Sequence, residues 1–235
     1  MKIGFVIGTY PGEEQERRER VVRSYQSPEV EIEFIRLDGT VYHHQMASST
    51  AEELATPFHR AYQQAEQNGC DAVVPLGTLD LGVQGGRSLV DIPVVGPTEA
   101  CMRLVPLVAD NFGAICYHSR YFGFMSRLVR SYGMADRMVG IEASGFDLPD
   151  IAANSTVMRD NFLFSARRLI TDKGAQSIVP LGITQCPVHM SSIELSEELG
   201  VPVVEAIGSP IRLAATLVSL GLKTSRACWP SPDAI

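Results

Sequence analysis

The sequence predicts an α/β protein made of two similar parallel-sheet halves, related by a pseudo-two-fold axis, with an active cleft between them. Three observations carry this expectation. Short β-branched runs alternate with longer segments of helical period. One stretch of chain is repeated about 105 residues downstream. Both copies end in the same tetrapeptide, Val74-Pro75-Leu76-Gly77 and Val179-Pro180-Leu181-Gly182.

In chain order, the strands are expected at Lys2–Ile7, Ile32–Leu37, Ala72–Leu76, Pro93–Val95, Gly113–Tyr117, Met138–Ile141, Ser177–Leu181 and Pro202–Val204, each a short run rich in Val and Ile. Thr50–Asn68 and Met158–Lys173 carry a helical period. Two capping boxes mark helix starts, Thr50 with Glu53 and Ser191 with Glu194. The interleaved Glu13, Glu14, Glu16, Glu19 and Arg17, Arg18, Arg20, Arg23 read as a solvated helix face laced with i,i+4 pairs. Gly69 to Gly77 aligns without a gap on Gly174 to Gly182, and Ile92-Pro93-Val94-Val95 matches Val201-Pro202-Val203-Val204. Ile92 follows Gly77 by 15 residues and Val201 follows Gly182 by 19, so four residues are inserted after Gly182. The organisation expected is an N-terminal half over 1–97, a C-terminal half over 98–210, and a helix and tail over 211–235 packing back on the first half.

Composition narrows the function. With 235 residues, 45% of them apolar and 20% charged, the chain has enough apolar material for real cores. A net charge of −7 and the lack of a dense basic cluster argue against nucleic acid as a partner. No apolar run reaches the roughly 18–20 residues of a membrane span, so no membrane partner is expected. The start, Met1 to Gly8, reads as a strand rather than a signal peptide. Five cysteines with no CxxC pair disfavour a disulfide framework or zinc site and suit a cytoplasmic protein with reduced thiols. The adjacent His43 and His44 point in opposite directions on a strand and complete no metal shell, so no metal is expected. Gly82-Val83-Gln84-Gly85-Gly86 fits neither phosphate-loop template.

In open α/β sheets, ligands bind beyond the carboxyl ends of the strands. That rule selects Thr9 and Tyr10 after the first strand, and Gly77, Thr78 and Leu79 after the third. It also selects Tyr117, His118 and Ser119 after the fifth, and Gly182, Ile183, Thr184 and Gln185 after the seventh. Hydroxyls and amides at these places suit a small carboxylate or serve as helix caps. Tyr117 is a candidate donor to an oxyanion. His118 is either an acid/base group titrating near neutral pH or a surface histidine.

These residues resemble the aspartate/glutamate/hydantoin racemase superfamily, whose members include an arylmalonate decarboxylase and maleate isomerase. The stretch Asp91-Ile92-Pro93-Val94-Val95-Gly96, followed by Glu99-Ala100, looks like the hydantoin racemase branch. The resemblance implies a homo-oligomeric enzyme without pyridoxal phosphate, metal or other cofactor. It also implies two thiols, one after the central strand of each half, that handle a proton on opposite faces of a carbon next to a carboxylate. This chain departs from that pattern. The first thiol position holds Gly77 or Thr78, and the second holds Gly182 or Ile183. Leu76-Gly77-Thr78 looks like the decarboxylase branch, where glycine replaces the first thiol, but that branch keeps the second. Cys186, inside the inserted segment, is the nearest thiol: either a displaced catalytic group, with His189 close by to activate it, or a small buried residue.

The expected function is therefore a cofactor-independent, racemase-like enzyme acting next to a carboxylate or carbonyl of a small molecule, with one-sided chemistry. Decarboxylation or another carbon–carbon cleavage is one alternative, and a carboxylate-binding protein without chemistry is the other.

Overall fold

The computed structural model describes residues 1–37, 48–146, 151 and 153–232. His43 and His44 lie outside the described residues. The chain divides into two compact units, Met1–Pro97 with Pro210–Ile235, and Thr98–Ser209.

The first unit holds β1 (Lys2–Ile7), α1 (Glu13–Arg23), β2 (Glu31–Arg36), α2 (Ser48–Gln67), β3 (Ala72–Pro75) and α3 (Val83–Leu89). Helix α4 (Pro97–Val108) leads into the second unit, which holds β4 (Phe112–Cys116), α5 (Phe122–Ser131), β5 (Met138–Ala143), α6 (Ser155–Lys173), β6 (Ile178–Pro180) and α7 (Ser192–Leu199). Helix α8 (Gly208–Ser219) returns the chain to the first unit. Each unit is a three-stranded parallel sheet, ordered β2-β1-β3 in one and β5-β4-β6 in the other.

The repeat seen in the sequence is a repeat of hydrogen bonds. Val73 bridges Val94 in parallel, and Ile178, its counterpart, bridges Val203. The amide of Leu76 donates to Val6 O at 2.9 Å, and that of Leu181 donates to Ile115 O at 2.8 Å. The correspondence extends upstream to Gly4 and Gly113, each under a helix. A Cβ at Gly4 would lie 2.9 Å from Ala65 Cβ, and one at Gly113 would lie 2.8 Å from Leu169 Cβ. Absent side chains in the central strands thus let α2 and α6 pack close, over strands that are apolar and buried apart from Lys2 at the start of β1. The expected strands over Pro93–Val95 and Pro202–Val204 shrink to single bridges, since proline supplies no ladder N–H.

Two further expectations change. Ser191 does cap α7, accepting from the Glu194 amide at 3.3 Å. Thr50 caps nothing, because α2 already starts at Ser48 and places Thr50 within its first turn. Nor is the Arg/Glu face of α1 wholly solvated. The period carries Arg18 and Val22 inward; Arg18 is 1% exposed, ion-paired to Glu14 at 2.8 Å, and stacked 4.1 Å above the Tyr10 ring.

The C-terminal tail is fastened to the first unit. Thr224 N donates to Asp91 O at 3.0 Å, Arg226 pairs with the Asp91 carboxylate, and Arg87 lies 5.2 Å from the Trp229 ring. Among the described residues, no helix is long and apolar enough to cross a membrane.

The Gly113 contact yields a prediction. Gly113→Ala should lower stability by about 1–3 kcal/mol, because Leu169 must move to admit the methyl group. A urea midpoint equal to that of wild type would show that the helix yields freely.

Candidate active site

In the second unit, β4 and β6 end side by side, delivering Tyr117 and Gly182 to one strand edge. Gly182 has no room for a side chain. A Cβ there would lie 2.7 Å from Tyr117 Cζ, 2.9 Å from its Cε1 and 3.1 Å from Gln185 Nε2. The phenol oxygen of Tyr117 accepts the Thr184 amide at 2.9 Å, and Gln185 N donates to Gly182 O at 3.1 Å. Thr184 and Ile183 are buried. Gln185 is fully buried, yet neither its Oε1 nor its Nε2 has a hydrogen-bond partner.

Cys186 follows in an extended conformation (φ −139°, ψ 126°) that breaks the surrounding helical turn. It is fully buried and packs in the core with Ile115, Phe162, Ile178 and Leu195. Burial, chiefly, and then the charges of Glu205 and Cys101 push its thiol well above the ordinary range. The Glu205 carboxylate accepts from the amides of Ile207 at 2.6 Å and Gly208 at 2.7 Å, capping the start of α8. His189 is half-buried at the end of the segment. His118 serves as a cap: its Nδ1 accepts from the Arg120 amide at 3.3 Å and meets the exposed Ser119 Oγ at 3.4 Å.

The matching strand end of the first unit is built differently. Gly77 stands at φ +106°, and a Cβ there would meet nothing within 4 Å. The space is open, but the backbone conformation is one that residues with side chains rarely adopt. Thr78 is buried and Leu79 half-buried against the core. Asp80 holds a left-handed φ of 51° and is 8% exposed. Its Oδ2 lies 2.6 Å from where a Cβ of Gly96 would stand, so Gly96 makes room for the carboxylate. Tyr62, buried beneath, donates to Leu81 O at 2.5 Å. After β1, Thr9 is exposed, while Tyr10 N bonds Gln15 Oε1 at 2.9 Å and burial raises the Tyr10 phenol.

Sequence reasoning named Tyr117, Gly182, Thr184 and Gln185 as separate strand-end positions, and the structure brings them together at one edge. It did not anticipate the Arg18–Tyr10 stack, the Gly96 recess or the Glu205 cap. One signal was available for the last two: the repeat pairs Gly96 with Glu205, a mismatch inside an otherwise matched segment. Among the described residues, no group of three His, Cys, Asp or Glu side chains could hold a metal ion.

The Asp/Glu/Hydantoin racemase family model matches residues 16–214. The chain belongs to that family. A hydantoin racemase of Paenarthrobacter aurescens is 32% identical over 180 residues, spanning 75% of this chain and 74% of that protein. A hydantoin racemase of Pseudomonas sp. strain NS671 is 29% identical over 164 residues, 70% of this chain and 65% of its own length. Allantoin racemase from Klebsiella pneumoniae has the same fold, with a TM-score of 0.87 at 20% identity, covering 100% of this chain and 94% of that one. Within the racemase family fold, this chain has glycine just past β3 and just past β6, one with open space for a side chain and one with that space filled by a tyrosine ring.

The buried thiols predict a pH response. Burial pushes Cys70 up to about 11 and Cys116 up to about 12, and raises Cys186 as well. In the unfolded chain these thiols ionise near pH 8.5–9. The folded state then holds protons that the unfolded state has released, so this contribution is whole below about pH 8.5 and is lost as pH rises toward 11–12. Denaturation midpoints should fall from pH 9 to 11, and native-state alkylation at pH 8 should label exposed Cys228 alone. Rapid labelling of Cys186 would contradict its burial.

Proposed function

We propose that this racemase-family protein is a cofactor-independent enzyme that moves a proton on and off the carbon beside a carbonyl or carboxylate of a small molecule. The proton chemistry runs on one face. The observation that carries this reading is the contact between Gly182 and Tyr117. A ring carrying a phenol fills the volume that a side chain at 182 would need, while the volume at Gly77 stays open. No thiol stands at either strand end, and Cys186 is sealed in the core with its thiol held neutral.

Tyr117 is therefore assigned both halves of the transfer: as the phenolate it takes the α-proton, the C–H electron pair passes to the enolate oxygen, and the phenol so formed returns a proton to the carbon on the same face. A hydroxyl fixed by a backbone contact can stabilise charge that develops in the transition state. Thr184 and Gln185 supply polar groups to the substrate at the end of β6. His118 and Ser119 stabilise the turn that follows Tyr117. The hydantoins and related 2-substituted acids are the first substrates to try, because relatives of this chain bear the name hydantoin racemase.

The test is deuterium uptake. In deuterium oxide, the α-carbon of a 5-substituted hydantoin or a 2-substituted acid should be labelled faster than in the protein-free control. For a single enantiomer, labelling should outpace loss of optical rotation, since one face carries the chemistry. Tyr117→Phe should slow uptake by about 10²–10⁴-fold, the usual range for a lost acid/base group. Cys186→Ala should leave the rate within about threefold while lowering stability by about 2 kcal/mol through the cavity it leaves. The reverse pattern, with Cys186→Ala inactive and Tyr117→Phe active, would return the chemistry to the thiol. Absence of both label uptake and carbon dioxide release across the panel would remove the enzymatic reading.

A further inference from the structure

Gln185 is the one described side-chain amide whose donor and acceptor atoms are both buried and both without a partner. A buried amide left in this state costs free energy that an apolar residue of the same shape would not. The loop around it is nonetheless firmly held. Its own amide donates to Gly182 O, the neighbouring Thr184 amide donates to Tyr117, and its Nε2 sits beside Gly182 at the carboxyl end of β6. The backbone is ordered and the side chain is unsatisfied, an arrangement expected where a missing partner arrives from outside.

The chemistry of the group narrows what that partner is. A carboxamide offers an acceptor and a donor side by side. A ligand carrying C=O next to N–H, as in a lactam, imide or cyclic ureide, satisfies both at once. A carboxylate has only acceptors, so it would pair with Nε2 and leave Oε1 facing negative charge. The corresponding residue of the first unit, counted from Gly77, is Asp80, whose carboxylate is tucked against Gly96. The unsatisfied amide is thus peculiar to the second strand end.

We propose that Gln185 reads the substrate, pairing through its carboxamide with an uncharged amide edge and selecting it over a carboxylate. This rests on the preceding assignment of the strand ends to substrate, and it narrows that substrate to a neutral amide-type ring.

The experiment uses the full chain, its Gln185→Met variant and two probes, 5-benzylhydantoin and 2-benzylmalonate, an acid of similar shape that has no amide N–H. Thermal denaturation and deuterium uptake are the two readouts. Without ligand, Gln185→Met should melt about 2–4 °C higher than wild type, because the orphaned amide is gone. With 5-benzylhydantoin, wild type should be stabilised, and 2-benzylmalonate should need at least about tenfold higher concentration for the same shift. Gln185→Met should lose the hydantoin shift. Should that variant fail to fold, Gln185→Glu keeps the shape, replaces the donor with an acceptor and should lose the shift too.

Equal hydantoin shifts in wild type and variant, a preference of wild type for 2-benzylmalonate, or no shift with either probe would each overturn the proposal. A wild-type shift that vanishes in the variant, without deuterium uptake, would support Gln185 as the reader and sink the catalytic assignment instead.

Discussion

Tyr117 and Gly182 compete for one volume, and the architecture of the second strand end follows from how that competition is resolved. With glycine at 182, the tyrosine ring lies against the end of β6, and its oxygen is in place to take the Thr184 amide. That bond fixes the turn carrying Gln185 and sends Cys186 into the core. Any side chain at 182 would displace the ring, release the Thr184 amide and reopen the turn.

The two units show how far duplication preserves a frame while its ends diverge. Backbone bonds recur pair by pair, from Leu76–Val6 and Leu181–Ile115 to the bridges at Val94 and Val203. These bonds need only a parallel strand and a close-packed helix, which glycines at 4 and 113 secure in both units. Beyond the strand ends no such constraint operates. One glycine faces open space and the other faces a ring; one carboxylate, Asp80, reaches back from a loop to Gly96, while Glu205 caps the following helix from its own position.

Much of the frame was legible in the sequence for the same reason that it recurs. Strand composition, period and the repeated Val-Pro-Leu-Gly encode local and near-local interactions, and these placed the strands and α6 closely. The capping pattern at Ser191 was equally readable, whereas Thr50 was not, because several adjacent small polar residues leave the first turn of α2 free to begin earlier. The site was legible only as a list of residues. That Tyr117 fills the space of residue 182 depends on two strand ends 65 residues apart in sequence meeting at an edge. That Cys186 turns inward depends on a single extended residue in an otherwise helical segment. Neither is written in a local pattern, and a thiol in an inserted loop reads the same whether it faces a ligand or a core.

The central claim is that the second strand end, organised by Tyr117 against Gly182, receives a substrate whose amide edge meets Gln185. A crystal structure of the protein soaked with a 5-substituted hydantoin tests it most directly. The ring should lie at the carboxyl end of β6, with Gln185 Oε1 within about 3.2 Å of a ring donor and Nε2 within about 3.2 Å of a ring acceptor. Density showing Gln185 bonded only to an ordered water, with the hydantoin bound elsewhere, would contradict it.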